Sequence, residues 1–181
     1  MGLSSEVVKL TNIVVRIASD EADIEAARAL SYEWLEWHWK NYPVDWPPKG
    51  PDHPMDPENF QGIIDALPDL HARPQGGILI ASVNEKPAGC VMYNEAGPGV
   101  AVFNRMFVSE TGRGHGLGRL MLERMFEQMI SDGYKKVMFS SAKFLTHARA
   151  MYERAGFVDI PHPQSFPDEW RKYVYFMERS L

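Results

Sequence analysis

Between Val108 and Arg119 the chain reads Val-Ser-Glu-Thr-Gly-Arg-Gly-His-Gly-Leu-Gly-Arg, with glycine at 112, 114, 116 and 118. A strand-like run, Val100 to Val108, feeds this segment. A helix beginning near Gly116 leaves it, carrying Leu117, Met121, Met125 and Met129 on one face. Glycine lets backbone amides approach a ligand with no Cβ in the way. The amides of a first helical turn lack internal partners, and the macrodipole adds about half a positive charge there. Strand, glycine loop and helix in that order suit an anion, most often phosphate or pyrophosphate, and Arg113 and Arg119 add charge. The plain alternative is a flexible surface turn. Spacing narrows the ligand. The dinucleotide pattern G-x-G-x-x-G fails, because a start at Gly112 meets Leu117 and a start at Gly114 meets Arg119. No Gly-Lys-Ser/Thr closes the run, so a P-loop is excluded as well.

The wider context supplies a resemblance. Arg113-Gly-His-Gly-Leu-Gly118 resembles the Arg/Gln-x-x-Gly-x-Gly/Ala loop of the GNAT (GCN5-related N-acetyltransferase) superfamily. Arg105-Met-Phe-Val108 is similar to that family's fourth strand, and Ala148-Arg-Ala-Met-Tyr-Glu-Arg-Ala-Gly-Phe157 to its A-x-x-x-Y-x-x-x-G-F segment. One helix and one strand separate the two. The specific motifs occupy residues 105–157, while the element order matches over roughly residues 12–180.

The resemblance implies the amides of Arg113, Gly114, His115, Gly116, Leu117 and Gly118 as the holders of the pyrophosphate of coenzyme A. It implies that the backbone of Met106, Phe107 and Val108 pairs with the pantetheine arm, in a slot opened where a bulge splays the fourth strand from the fifth. Their side chains read equally well as core. Tyr152 falls where family members use a tyrosine as general acid toward the departing thiolate; a phenol with pKa ~10 is protonated at neutral pH. The alternative for Tyr152 is a packed core residue. At the positions where the family often carries a basic glutamate stand Val102 and Ser140 or Ser141, none able to take a proton from an ammonium. A water chain, Glu33, Glu36 or a histidine could substitute. Leu145-Thr146 replace the asparagine often seen before the second motif helix.

Elements must position these groups. Asn12 to Ile17 is β-branched and reads as a strand, and Asp20 suits the cap of an amphipathic helix over residues 21–39, with Ile24, Ala27, Leu30, Trp34 and Trp37 on one face. Pro43 to Pro74 holds eight of the 13 prolines, and four of the five tryptophans lie between Trp34 and Trp46. Residues 40–75 read as an ordered excursion on the acceptor side, with a short helix capped by Asp56. Trp34, Trp37, Trp39 and Trp46 are core and lid packing or an aromatic wall around an acceptor amine; Pro161 to Trp170 is a second candidate wall. Gly77 to Val83, Ala88 to Tyr93 and Val100 to Val108 form an antiparallel meander across the turns Asn84 to Pro87 and Glu95 to Gly99. The second helix stops at Asp132-Gly133. Lys136 to Ser140 is a strand, Thr146 caps a helix ending at Ala155-Gly156, and Arg171 to Glu178 closes the chain as a strand with Tyr173, Tyr175 and Met177 alternating. The order β-α-α-β-β-β-α-β-α-β predicts one α/β (α+β) domain over residues 1–181: a GNAT-like mixed, mostly antiparallel central sheet flanked by helices.

Composition bounds the function. The 181 residues suit one domain, and 45% hydrophobic with 24% charged residues is ordinary for a globular chain. The single cysteine, Cys90, excludes a disulfide scaffold and a cysteine-built zinc site and reads as a small buried hydrophobe. His38, His53, His71, His115, His147 and His162 show no metal-ligand spacing, so no metal is expected. A net charge of −5 argues against a nucleic-acid partner. No apolar run approaches the ~20 residues that cross a bilayer, and Met1 to Lys9 lack the features of a signal peptide. A cytoplasmic monomer or homodimer is expected, without a membrane partner. With the resemblance, the expected activity is N-acetyl transfer from acetyl-CoA to a primary amine of a small molecule or peptide. The alternatives are a non-catalytic acyl-CoA-binding or sensing module and a small-nucleotide phosphate binder.

Overall fold

Local chemistry sets the element boundaries in the computed structural model, which describes residues 11–181 apart from Asp52 and Pro54. The reading of Met1 to Lys9 lies outside these residues. After β1 (Ile13–Ile17), the Asp20 carboxylate accepts from the Asp23 amide at 2.9 Å and opens α1 (Glu21–Lys40). Asp56 likewise accepts from the amides of Glu58 and Asn59, with Pro57 in the first position of α2 (Pro57–Asp65); a further turn, α3 (Leu67–Leu70), follows. Asn84 and Glu85 both take positive φ and join β2 (Gly77–Val83) to β3 (Lys86–Gly97) as a tight hairpin. β4 (Val100–Val108) leads through a 3-10 turn at Glu110–Gly112 to α4 (Leu117–Ser131), which Gly133 ends at φ +93°. The chain continues through β5 (Lys136–Ala142), α5 (Thr146–Arg154), β6 (Val158–Ile160) and β7 (Val174–Ser180).

Some expectations shift. Thr146 is the first helical residue of α5; Leu145 precedes it as the cap residue, with no side-chain cap bond. Tyr173 falls outside the last strand, because a 3-10 turn at Asp168–Trp170 holds its amide to the Trp170 carbonyl at 2.9 Å. β3 runs past Tyr93 to Gly97, moving the second hairpin turn to Pro98-Gly99.

The seven strands run in the order β1-β2-β3-β4-β5-β7-β6, antiparallel except for the parallel pair β4–β5. One face packs Leu117, Met121, Met125 and Met129 of α4 against Val91, Tyr93, Phe103 and Phe139. The other packs Ala27, Leu30 and Leu35 of α1 with Phe60, Ile64 and Leu67 against Ile80, Cys90, Met92 and Phe107. Each such large side chain contributes about 2 kcal/mol of burial. The buried stripe of α1 is rotated from the predicted one. Ile24, Trp34 and Trp37 are half-buried, whereas Asp23, Ser31 and His38 are buried. Asp23 is compensated by Arg16, and the Ser31 hydroxyl donates to the Ala27 carbonyl at 2.7 Å.

Candidate active site

β4 and β5 pair only where Val100 to Val102 face Lys136 to Met138. Beyond this the two strands part, and the β5 side of β4 from Phe103 to Val108 carries no ladder. On its other side β4 holds to β3 across a bulge. Asn104 pairs with Met92 and Phe107 with Cys90, so Arg105 and Met106 together oppose Val91. Arg105 takes φ +47° there. The result is a fork that widens toward the C-terminal ends of both strands, its inner edge made of the backbone of Met106, Phe107 and Val108.

The glycine loop lies just past that edge. Gly114 at φ +78° and Gly116 at φ +70° are left-handed, with no atom within 4 Å of where a Cβ would stand. Gly116 is the cap residue of α4, and no side chain caps the first turn. The amides of Leu117, Gly118 and Arg119 thus keep the N-terminal positions that carry the positive end of the dipole. Gly112 and Gly118 serve packing: a Cβ on Gly112 would meet the Ala88 carbonyl oxygen at 2.6 Å, and one on Gly118 the Met151 sulfur at 2.9 Å. Arg113 and His115 are exposed, and His115 Nδ1 lies 3.0 Å from the Arg113 carbonyl, folding the ring onto its own loop. The Arg119 guanidinium pairs with Glu123. This cradle fits a pyrophosphate: open amides, two glycines that leave the space clear, and a free strand edge continuing from it.

Tyr152 of α5 is 5% exposed, its ring packed on Phe139 at 4.3 Å, Phe103 at 5.7 Å and Phe157 at 6.0 Å. Burial, with Tyr175 adding to it, raises the phenol above its usual pKa and keeps it protonated. At the positions where a base is expected, Val102 and Ser141 are half-buried and Ser140 is exposed, and Glu33 and Glu36 lie exposed on α1.

The tryptophan-rich segment and the segment ending at Trp170 pack together. Trp39, Tyr42, Trp46 and His53 pack with Trp170 and Tyr173, and Phe144, just past β5, touches Trp46 at 5.2 Å and His38 at 4.9 Å. Because Phe144 follows the end of β5, this cluster stands at the open mouth of the fork. Trp34 instead stacks on Phe60. His53 is held in place: its Nδ1 accepts from the Met55 amide, so Nε2–H donates to the Tyr42 hydroxyl, which donates to the Pro47 carbonyl. His38 is buried, with an unpartnered Nδ1, and burial lowers it to about 4. Tyr42, His53 and Phe144 carried no spacing signal in the sequence, and Tyr173 only that of a strand; they are joined only by the fold. A surface groove of about 530 Å³ between α1 and α2, lined by Glu25, Arg28, Tyr32 and Asp65, includes none of the fork or loop residues.

Residues 31–157 match the Acetyltransferase (GNAT) family, a span that contains the fork, the glycine loop and Tyr152. The chain belongs to that family. It is 29% identical over 112 residues to the "IAA acetyltransferase" of Azospirillum brasilense, covering 61% of this chain and 71% of that protein. Among solved structures, an acetyltransferase from Streptococcus agalactiae superposes with a TM-score of 0.71 at 17% identity, over 93% of this chain and 98% of that one. The PaiA N-acetyltransferase of Thermoplasma acidophilum, solved in complex with coenzyme A, gives 0.67 at 14% identity over 94% and 99%. These two likenesses are of fold. As in other GNAT acetyltransferases, the chain presents a mixed, mostly antiparallel sheet flanked by helices. Among the described residues there is no group of three or more His, Cys, Asp or Glu able to hold a metal ion, and no helix long and apolar enough to cross a membrane.

Proposed function

We propose that this protein transfers an acetyl group from acetyl-CoA to a primary amine, with both substrates bound together. The observation that carries the reading is the unpaired stretch of β4 running directly into an uncapped helix start through Gly114 and Gly116. The amides of Arg113 to Gly118 hold the pyrophosphate, and the backbone of Met106 to Val108 pairs with the pantetheine arm as an added strand. That the Thermoplasma protein, which shares this fold, was solved with coenzyme A supports coenzyme A as the ligand. Acetyl-CoA supplies an acyl carbon activated as a thioester. The amine enters from the mouth of the fork, where the aromatic cluster around Trp46 and Phe144 screens it from water. As the neutral amine, its nitrogen attacks the carbonyl carbon and a β4 amide steadies the oxyanion; the C–S bond breaks as Tyr152 gives its proton to the thiolate, and the proton shed by the nitrogen passes through water and restores the Tyr152 phenol. Positioning supplies most of the acceleration, since oriented reactants reach effective molarities of about 10⁵ M or more. One donor aimed at the oxyanion contributes about 3 kcal/mol.

Two measurements test this. Thermal-shift titration with acetyl-CoA, ATP as control, followed by a free-thiol assay over polyamines, amino acids, aminoglycosides and N-terminal peptides, is expected to show acetyl-CoA binding and turnover of at least one amine. Binding without turnover would favour a sensing module, and stabilisation by ATP alone a nucleotide binder. Tyr152→Phe is expected to lower kcat about tenfold or more with acetyl-CoA affinity retained. Unchanged kcat at saturating acceptor removes Tyr152 from the mechanism.

A further inference from the structure

The β4 bulge half-buries a cation that pairs with no carboxylate among the described residues. Arg105 turns its guanidinium to the α3 side of the sheet, where Nη2 lies 3.0 Å from His71 Nε2. His71 Nδ1 lies 3.0 Å from the Tyr93 carbonyl oxygen, which can only accept, so Nδ1 carries the proton and Nε2 offers Arg105 its lone pair. Burial holds this histidine neutral, down to about 4. Arg105 Nε is buried without a partner. Cys90 faces the guanidinium as well, and burial pushes its thiol up to about 12, so it brings no negative charge. Among the described residues no carboxylate pairs with Arg105; Arg113, Arg154 and Arg179 also lack one, but Arg113 and Arg154 are exposed to water and Arg179 lies over the Phe126 ring. A charge drawn part-way out of water without a counter-charge is unfavourable. A guanidinium bonded only to a neutral imidazole still offers a carboxylate its charge and a donor.

Its position gives that anion a source. Read back from the glycine loop, the inner edge of the fork is Val108, Phe107, Met106 and then Arg105. An arm anchored in the loop and laid along that edge ends beside Arg105.

We infer that Arg105, oriented by His71, is a specificity residue that receives a carboxylate carried by one of the two substrates next to the reacting thioester. This rests on the transfer reading above. The carboxylate belongs either to the acceptor, as in an amino acid, or to the far end of a dicarboxylic acyl chain. Binding it satisfies the guanidinium and fixes that substrate's orientation.

The experiment compares matched pairs in wild type, Arg105→Gln and Arg105→Lys, each checked for folding by thermal unfolding. In the acceptor arm, acetyl-CoA is given with an amino acid or with the amine left by its decarboxylation. In the donor arm, succinyl-CoA and butyryl-CoA are compared on one amine that turns over. The carboxylate-bearing partner is expected to lead by about tenfold or more in kcat/KM in one arm. That ratio falls toward unity in Arg105→Gln and is partly kept in Arg105→Lys, which also serves if the Gln variant does not fold. Turnover with no preference in either arm, or a preference that survives both substitutions, overturns the inference and leaves the transfer reading standing. Acetyl-CoA binding with no amine turned over overturns the transfer reading, and the inference with it.

Discussion

Gly112 and Gly114 lie two residues apart and answer to different constraints. Gly112 is buried against the Ala88 carbonyl, where a methyl group has no room; Gly114 faces open space but takes a left-handed φ. Gly112→Ala is therefore expected to lose about 3 kcal/mol of stability, since backbone must move. Gly114→Ala is expected to lose about 1 kcal/mol and to weaken acetyl-CoA binding several-fold, because the strained loop no longer presents its amides as before. Thermal melts and acetyl-CoA titration of both variants check this, and equal losses of stability would contradict it. The loop was legible because glycine spacing is a local signal. Arg105 was not. It heads the strand motif Arg105 to Val108 with no role of its own there, and its meaning depends on His71, 34 residues away in the chain.

Helix caps and turns announce themselves in short range. Asp20, Asp56, Gly133 and Gly156 do what their types and neighbours predict. β6 did not announce itself, since Val158 and Asp159 are exposed and only pairing with β7 makes three residues a strand. The fork is the same kind of feature: three registered pairs between β4 and β5 and then divergence, implied by family resemblance but not by any residue's own preference. A second non-local tie holds α4 to the sheet. Asp132, at the end of α4, accepts from Arg73 at 2.5 and 2.6 Å, from the Tyr93 hydroxyl at 2.5 Å and from Gln128 at 2.9 Å. Burial pushes its carboxyl up, but these hydrogen bonds outweigh that and hold it below the usual range. A depressed folded pKa contributes stability above the unfolded value, about 4, and loses it as pH falls through the folded one. Asp132→Asn is expected to cost about 2 kcal/mol at pH 7 and less at pH 3, measured by denaturant unfolding at both. An equal cost at the two pH values would contradict the ion-paired reading.

At the scale of the whole molecule, the sheet separates two apolar layers, and one of them encloses neutral histidines. His38 and His71 are each lowered from 6.5 to about 4, by burial first. The unfolded chain binds protons near pH 6.5 that the folded one refuses, so their contribution is full above pH 6.5 and is lost as pH falls toward 4. Each accounts for a loss on the order of 3 kcal/mol across that window. The melting temperature is expected to drop below pH 6.5, before carboxylates titrate, and His38→Phe to flatten the drop; a wild-type melting temperature that is level from pH 7 to 5 would contradict this. Alternation and composition made the two layers legible, but not which polar side chains would be enclosed, because enclosure depends on partners from distant elements. The central claim is that the fork and its glycine loop together hold acetyl-CoA. Amide hydrogen exchange with and without acetyl-CoA tests it most directly. The account predicts new protection at Met106 to Val108 and at Arg113 to Gly118; protection confined to other segments, such as the groove between α1 and α2, would contradict it.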